Sequence, residues 1–209
     1  MRLLIIGATR GIGQQTVAQA LTQGHEVVVL ARRPANLPLT HERLRVVPGD
    51  ILDEAGVAQA MAGQEAVLIT IGIAPTWQPV TVFSQGSRNV LAAMTASGVK
   101  RLLAVTGIGA GDTKGHGGFF YDRLVQPLLL KRLYEDKDRQ EAIIMGSQAA
   151  WTIVRPGFLT NGPLTGKYRV ITDLTGVTCG KISRADVAHF LVREVAANQY
   201  VGQTPLLTY

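Results

Sequence analysis

The chain has 209 residues, of which 46% are hydrophobic and 17% charged, with 23 Gly, 9 Pro and a single Cys. A chain of this length can bury about 70% of its unfolded surface around one core, which excludes a disulfide scaffold or a disordered segment and removes the need for a structural metal. No apolar run reaches the ~18 residues of a spanning helix, and Met1 to Ile6 lead straight into glycine without an export-type stretch, so a cytoplasmic protein without membrane contact is expected. The net charge of +6 could suit a polyanionic ligand, but the basic residues are scattered among acids, which argues against nucleic acid.

Short aliphatic runs alternate with helical patterns along most of the chain: LLII from Leu3, EVVVL from Glu26, LRVV from Leu44, AVLIT from Ala66, RLLAV from Arg101 and WTIV from Trp151. Runs such as Val27 to Leu30 are apolar at every position, as expected of parallel strands covered on both faces by helices. Gly24, Gly63 and Gly98 each close a helical stretch, where a left-handed cap is wanted. Val80 to Ser97 carries Val82, Phe83, Val90, Leu91 and Met94 at helical spacing. After Val105 the rhythm changes: Gly107 to Phe120 holds six glycines in fourteen residues and reads as a mobile functional loop. A helix is expected from Tyr121 to Gly146, broken near Pro127, and then the strand WTIV, a loop, a short strand KYRVIT, and a last helix opened by the capping box Ser183-Arg184-Ala185-Asp186. Without repeats or linkers, residues 1–209 read as one α/β domain with a doubly wound parallel sheet and small C-terminal elements on the substrate side.

The first strand runs into Gly7-Ala8-Thr9-Arg10-Gly11-Ile12-Gly13 and a helix follows. A lone glycine-rich match says little, but strand, turn and helix in this order are the context of a dinucleotide-binding loop. The glycines allow the backbone to approach a diphosphate, and the helix N-terminus supplies free N–H groups and partial positive charge. At the end of the second strand stands Ala31-Arg32-Arg33 in place of an acid that would hold both ribose hydroxyls. Arginines there, joined by Arg10, would pair with a 2'-phosphate, so NADPH is expected over NADH. Ordinary solvated charge is the alternative for Arg32 and Arg33. Asp50 ends the third strand, either accepting from an adenine amino group or capping the next helix.

With these residues the chain resembles the short-chain dehydrogenase/reductase superfamily in its atypical branch. It is most similar there to the NmrA-like flavin reductase/biliverdin-IXβ reductase group, in GATRGIG, PVTVFSQGSRNVLAAMTASGVKRLLAVT, GPLTGKYRV and KISRADVAHFLV. The resemblance implies a monomer that binds NADPH and reduces free flavin (FMN, FAD or riboflavin) as a substrate, or a similarly planar acceptor such as a linear tetrapyrrole. It also implies cofactor contacts from the glycine loop, Arg32, Asp50, Ile51, Ile71, Gly72, the adjoining Ile73, Thr106, and the turn Pro156-Gly157-Phe158. Two departures weigh against a tetrapyrrole: Gly107 stands where the group usually carries Ser, and Phe158 where His is expected.

Carbonyl reductases of this superfamily place Tyr and Lys four apart on a helix, as acid and activator. No Tyr here has Lys four residues later; Tyr134 and Lys137 are three apart, and Tyr134 reads as a surface residue. Lys137 falls where the superfamily lysine would touch the nicotinamide ribose, with a solvated face as its alternative. A flavin needs less help, because its N5 accepts hydride directly and water can supply protons, so positioning the two rings is most of the catalysis. Trp77, Phe119, Phe120, Tyr121 and Phe158, with Asn161, lie on loops after strands where an acceptor could stack. Thr106, Lys137 and His116 are the candidate catalytic residues. The four histidines and Cys179 show no metal-ligand spacing. The competing reading is an NADP-binding redox sensor of the NmrA-like type that acts through partner proteins without turnover.

Overall fold

Six parallel strands frame the computed structural model, which describes residues 1–209: β1 (Arg2–Ile6), β2 (Glu26–Ala31), β3 (Leu44–Pro48), β4 (Ala66–Ile69), β5 (Arg101–Val105) and β6 (Ala150–Pro156). They lie in the order β3-β2-β1-β4-β5-β6, so the chain winds outward in one direction, returns to β1 and winds outward in the other. Beyond Pro156 follow four short strands, β7 (Phe158–Thr160), β8 (Arg169–Ile171), β9 (Lys181–Ser183) and β10 (Leu206–Thr208). β10 extends the main sheet parallel to β6, β8 closes its edge antiparallel to β10, and β7 pairs with β9 in a separate two-stranded sheet.

Five α-helices cover the two faces: α1 (Gly11–Thr22), α2 (Glu54–Met61), α3 (Val82–Ser97), α4 (Lys131–Met145) and α5 (Arg184–Ala197). Because strand side chains alternate, Leu3 and Ile5 of β1 join a core of 23 buried residues shared with α1 and α5, while Leu4 and Ile6 join one of 18 shared with α2, α3 and α4. That double burial is why the strands are apolar at every position. Gly24, Gly63 and Gly98 all have positive φ, as their cap positions require. Of the expected capping box one arm forms, Ser183 accepting from the Asp186 N–H at 2.9 Å, while the Ser183 N–H donates to the Tyr209 hydroxyl at 3.1 Å. α3 has no local cap; instead Asp136 of α4, fully buried, accepts from the Phe83 and Ser84 N–H groups at 2.9 and 3.3 Å.

The long helix expected from Tyr121 to Gly146 is two segments. Tyr121–Leu130 is wound as a π-helix, with Pro127 inside it, and α4 starts at Lys131. Proline removes a donor and crowds the carbonyl four residues back, and a wider turn accommodates both. The glycine-rich loop is also less free than its composition suggests. Gly107 to Ala110 are buried, Ile108 N–H donates to the Pro156 carbonyl, and the N–H groups of Gly109 and Gly111 donate to Thr113 and Asp138. KYRVIT supplies only three strand residues, Arg169–Ile171, and no helix is long and apolar enough to cross a membrane.

Candidate cofactor and active site

A cleft of about 1280 Å³ runs along the C-terminal ends of the strands, from β2 and β3 at one end to β5 and β6 at the other. Its middle is the turn from β1 into α1. Gly7 has φ +94°, and a Cβ there would stand 2.7 Å from the Ile71 backbone nitrogen, so only glycine lets β1 and the segment after β4 approach this closely. A Cβ on Gly13 would overlap the Gly7 carbonyl and the Thr70 hydroxyl, which itself donates to the Ile6 carbonyl at 3.0 Å. Gly13 is therefore a packing residue behind the loop, whereas Gly7, Ala8, Thr9, Arg10, Gly11 and Ile12 form the wall of the cleft. Arg10 caps α1 in extended conformation without a side-chain hydrogen bond, and the first turn carries no acid, so its N–H groups stay open to an anion. The Arg10 guanidinium lies 3.4 Å from the Gly72 carbonyl.

At the β2 end, Arg32, Arg33, Asp50 and Ile51 line the cleft as expected. Asp50 does not cap α2; Asp53 does, accepting from Ala55 N–H. One Asp50 oxygen accepts from Leu52 N–H at 3.0 Å, and the other stands 4.0 Å from the Arg32 guanidinium. The lining holds five bases, Arg10, Arg32, Arg33, Lys137 and Arg184, against the single carboxylate of Asp50. Arg10, Arg33 and Arg184 take part in no ion pair. An unpaired cationic cleft against a glycine loop and an open helix N-terminus fits a ligand with several phosphates.

At the other end Ile71, Gly72, Ile73, Thr106, Gly107, Pro156, Gly157, Phe158 and Asn161 line the cleft together with Lys137. Lys137 is fully enclosed. Its ammonium donates to the Thr106 carbonyl at 2.6 Å and stands 4.7 Å over the Phe83 ring, and burial lowers its pKa to about 8 despite Glu141 and Asp136 nearby. The Thr106 hydroxyl donates to Glu141 at 2.6 Å, and Glu141 also receives Arg155 through Nε at 3.1 Å and Nη2 at 2.7 Å. Arg155 reaches on to Asp112 of the glycine loop and to Thr204. Thr106 and Lys137 are thus anchored by a buried ionic network.

Tyr134 is not on the surface. It lines the cleft beside Tyr121, their hydroxyls 3.2 Å apart, with Tyr121 also 3.1 Å from the Ile108 carbonyl. Having one proton, Tyr121 satisfies that carbonyl and accepts from Tyr134. Burial pushes both phenols up, Tyr134 well above the ordinary tyrosine value, so both are neutral at physiological pH. Residues thirteen apart on one straight helix would be separated by about 20 Å along its axis, so the chain bends between them, where Leu130 (φ −115°, ψ 0°) joins the π segment to α4. Tyr121 meets Phe158 edge-on, ring centroids 5.1 Å apart, forming an aromatic wall.

Four expected site residues lie elsewhere. The imidazole of His116 is 2.7 Å from the Val177 carbonyl and its own carbonyl accepts from Cys179 N–H, which staples the loop to the segment before β9 and turns His116 away from the cleft. Phe119 and Phe120, just ahead of the π segment, are 81% and 69% exposed and outside the cleft. Trp77 borders a separate small groove with Pro127, Leu128 and Leu129. Arg184, Leu133 and Leu159 line the cleft without having been singled out in the sequence. Arg184 had a signal, its place at the first turn of a helix after the substrate-side loop, which was absorbed into the capping box.

The sequence model of the family described as NAD(P)H-binding matches residues 7–198. The chain belongs to this family. Its curated relatives include an uncharacterized sugar epimerase, YhfK, of Bacillus subtilis, 26% identical over 92% of this chain and 86% of the relative. A (4-alkanoyl-5-oxo-2,5-dihydrofuran-3-yl)methyl phosphate reductase of Streptomyces griseus is 27% identical over 93% of this chain and 60% of its own length. Among solved structures, ChuY, an anaerobillin reductase from Escherichia coli O157:H7, superposes with a TM-score of 0.84 at 27% identity, covering 100% of this chain and 97% of that one. The Rossmann sheet, the dinucleotide cleft and these likenesses place the protein in the atypical branch of the short-chain dehydrogenases/reductases, as an NAD(P)H-dependent oxidoreductase.

Proposed function

We propose that the protein is an NADPH-dependent reductase of flavin or a similarly planar acceptor. The observation that carries this reading is the polarity of the cleft along its length: Arg10, Arg32 and Arg33 at the β2 end, and a wall of Tyr121, Tyr134, Phe158 and Leu133 at the β5–β6 end. A nicotinamide bound at that second end supplies hydride. Arg32 and Arg33 would hold a 2'-phosphate, with Asp50 steadying Arg32, and the glycine loop and the first turn of α1 would hold the diphosphate. Thr106 and Lys137, fixed through Glu141 and the backbone, would form part of the floor under a bound nicotinamide. The edge-on Tyr121–Phe158 pair offers apolar area for a flat ring and keeps water from its covered face.

Lys137 directs two of its three protons at the Thr106 and Val105 carbonyls with its ammonium over the Phe83 ring, and the two tyrosines bond to each other and to Ile108, so the hydroxyls are engaged within the protein rather than aimed as acids at a ketone oxygen. An acceptor that spreads the incoming charge over its own rings needs none. Steady-state oxidation of NADPH with free FMN under anaerobic conditions tests the proposal: turnover with FMN and little with simple ketones is expected, and the reverse preference would overturn it. The same engagement of the tyrosines favours a second reading, a sensor that binds NADP without turnover, which a tight-binding but inactive protein would establish.

A further inference from the structure

Arg184 opens α5, which packs against α1. Gln19, in the second half of α1, donates to the Ala185 carbonyl at 2.9 Å and fixes the start of α5 alongside that helix. A Cβ placed on Gly11 would be 3.7 Å from both Cδ and Nε of Arg184, so the half-buried side chain lies along the first turn of α1 on the wall of the cleft. Its only hydrogen-bond partner is neutral: Nη1 donates to the Asn161 side-chain oxygen at 2.8 Å. The nearest acid in sequence, Asp186, is committed elsewhere, accepting from Thr165, Gly166 and the Tyr209 hydroxyl.

The open N-terminus of α1 and an arginine therefore lie together, both positive, with no acid in that turn and no ion pair to Arg184, whereas the start of α5 is capped by Ser183 and carries Asp186 in its first turn. A cation at a helix N-terminus is unfavourable on its own. The arrangement is stable in the presence of an anion, and the remaining guanidinium N–H groups form the planar fork that suits phosphate oxygens. Arg32 and Arg33 stand at the β2 end of the cleft, where the proposed ligand would carry a different phosphate.

We propose that Arg184 is a diphosphate-binding residue, which together with the N–H groups of the first turn of α1 holds the linkage between the two halves of the dinucleotide. Asn161 is its positioning residue, tying the segment after β7 to the cofactor. The proposal rests on the nucleotide reading of the cleft, and the test separates the two by using ligands that carry one phosphate feature each. Calorimetric titrations of the parent, Arg184→Ala and Arg184→Lys are run with ADP-ribose, which has the diphosphate alone, adenosine 2'-monophosphate, which lacks it, and NADPH. Arg184→Ala is expected to weaken ADP-ribose and NADPH by the same factor, about tenfold or more, and to leave adenosine 2'-monophosphate within about twofold. Arg184→Lys, keeping the charge without the fork, should recover part of the loss. Unchanged ADP-ribose affinity in Arg184→Ala overturns the assignment, as does an equal loss for adenosine 2'-monophosphate, which would mean a general disturbance of the cleft. Absence of binding of all three to the parent overturns the nucleotide reading itself.

Discussion

Glu141 is the carboxylate that ties Thr106 and Arg155 together at the β5–β6 end of the cleft, and its replacement by alanine removes that tie. The side chain is 3% exposed and Arg155 is 2% exposed. Alanine removes two charge-assisted bonds to Arg155, of 3.1 and 2.7 Å, and the acceptor of the Thr106 hydroxyl at 2.6 Å. It leaves a guanidinium enclosed in protein with only Asp112 and Thr204 as side-chain partners. Removing one member of a buried pair costs about 3–5 kcal/mol. The Asp112 carboxylate is 70% exposed and can keep part of the charge compensated, which puts the loss near the lower figure, about 3 kcal/mol. For a chain of this size each kcal/mol moves Tm by about 2–4 °C, so a drop of about 6–12 °C is expected in calorimetry at pH 7. Glu141→Gln, which keeps an acceptor for Thr106, should lose less. Adenosine 2'-monophosphate binding, at the far end of the cleft, should be unaffected in both. A loss below about 1 kcal/mol would refute the account, since it would place Glu141 and Arg155 among pairs weak enough for solvent to replace.

Arg32→Ala should weaken NADPH about tenfold or more and leave NADH nearly unchanged, because one exposed charge-assisted contact to a phosphate contributes about 1.5 kcal/mol; equal losses in paired titrations would remove the 2'-phosphate assignment. Tyr121→Phe, Tyr134→Phe and His116→Ala should each retain flavin reduction within about tenfold, below the 10²- to 10⁴-fold cost of losing a positioned acid; one of them abolishing turnover while both ligands still bind would identify the proton donor. In amide exchange Ile108 to Gly111 and Thr113 should be protected without any acceptor, since their N–H groups are bonded to protein, and protection gained on FMN binding should fall on Lys114, Gly115, Gly117 and Gly118; uniform exchange across the loop would contradict the bonding observed. Lys137→Met should abolish a pH dependence of stability. With a folded value of about 8 against 10.5 for a free lysine, the unfolded chain holds the extra proton between those values, so the parent gains stability as pH rises from 8 to 10.5, by roughly 3 kcal/mol, and denaturant midpoints of the variant should lack that rise.

The sheet and the cofactor end were legible because each rests on local chemistry. Aliphatic runs such as Val27 to Leu30 report burial on both faces, and the glycine loop reports a close backbone approach that the overlap of a Cβ at Gly7 and Gly13 bears out. The short strands after Pro156 were less legible, because three residues carry too little pattern: β7, β9 and β10 take their place from partners distant in sequence, as Phe158 does from Lys181 and Leu207 from Pro156. Nor could composition distinguish a free glycine loop from one held by Pro156, Thr113 and Asp138, since the restraint comes from elements the loop meets only after folding.

Tyr134 lies in the cleft and not on the surface for a different reason, which bears on how the cleft is built. Counting residues between Tyr134 and Lys137 assumes an uninterrupted α-helix, on which a spacing of three does not reproduce the superfamily's spacing of four. The count is right for α4 itself and irrelevant to what lies over it, because the π turn around Pro127 resets the phase of everything before Lys131. Tyr121 enters the cleft from beyond that junction, and Tyr134, which packs against Val80, Phe83 and Leu133, is bonded to it. The pairing takes both hydroxyls out of the role that the usual Tyr and Lys play and turns them into a neutral, largely apolar wall. On the function proposed above, the same local departure from α geometry leaves a ketone without an aimed acid and builds the surface on which a flat ring would lie.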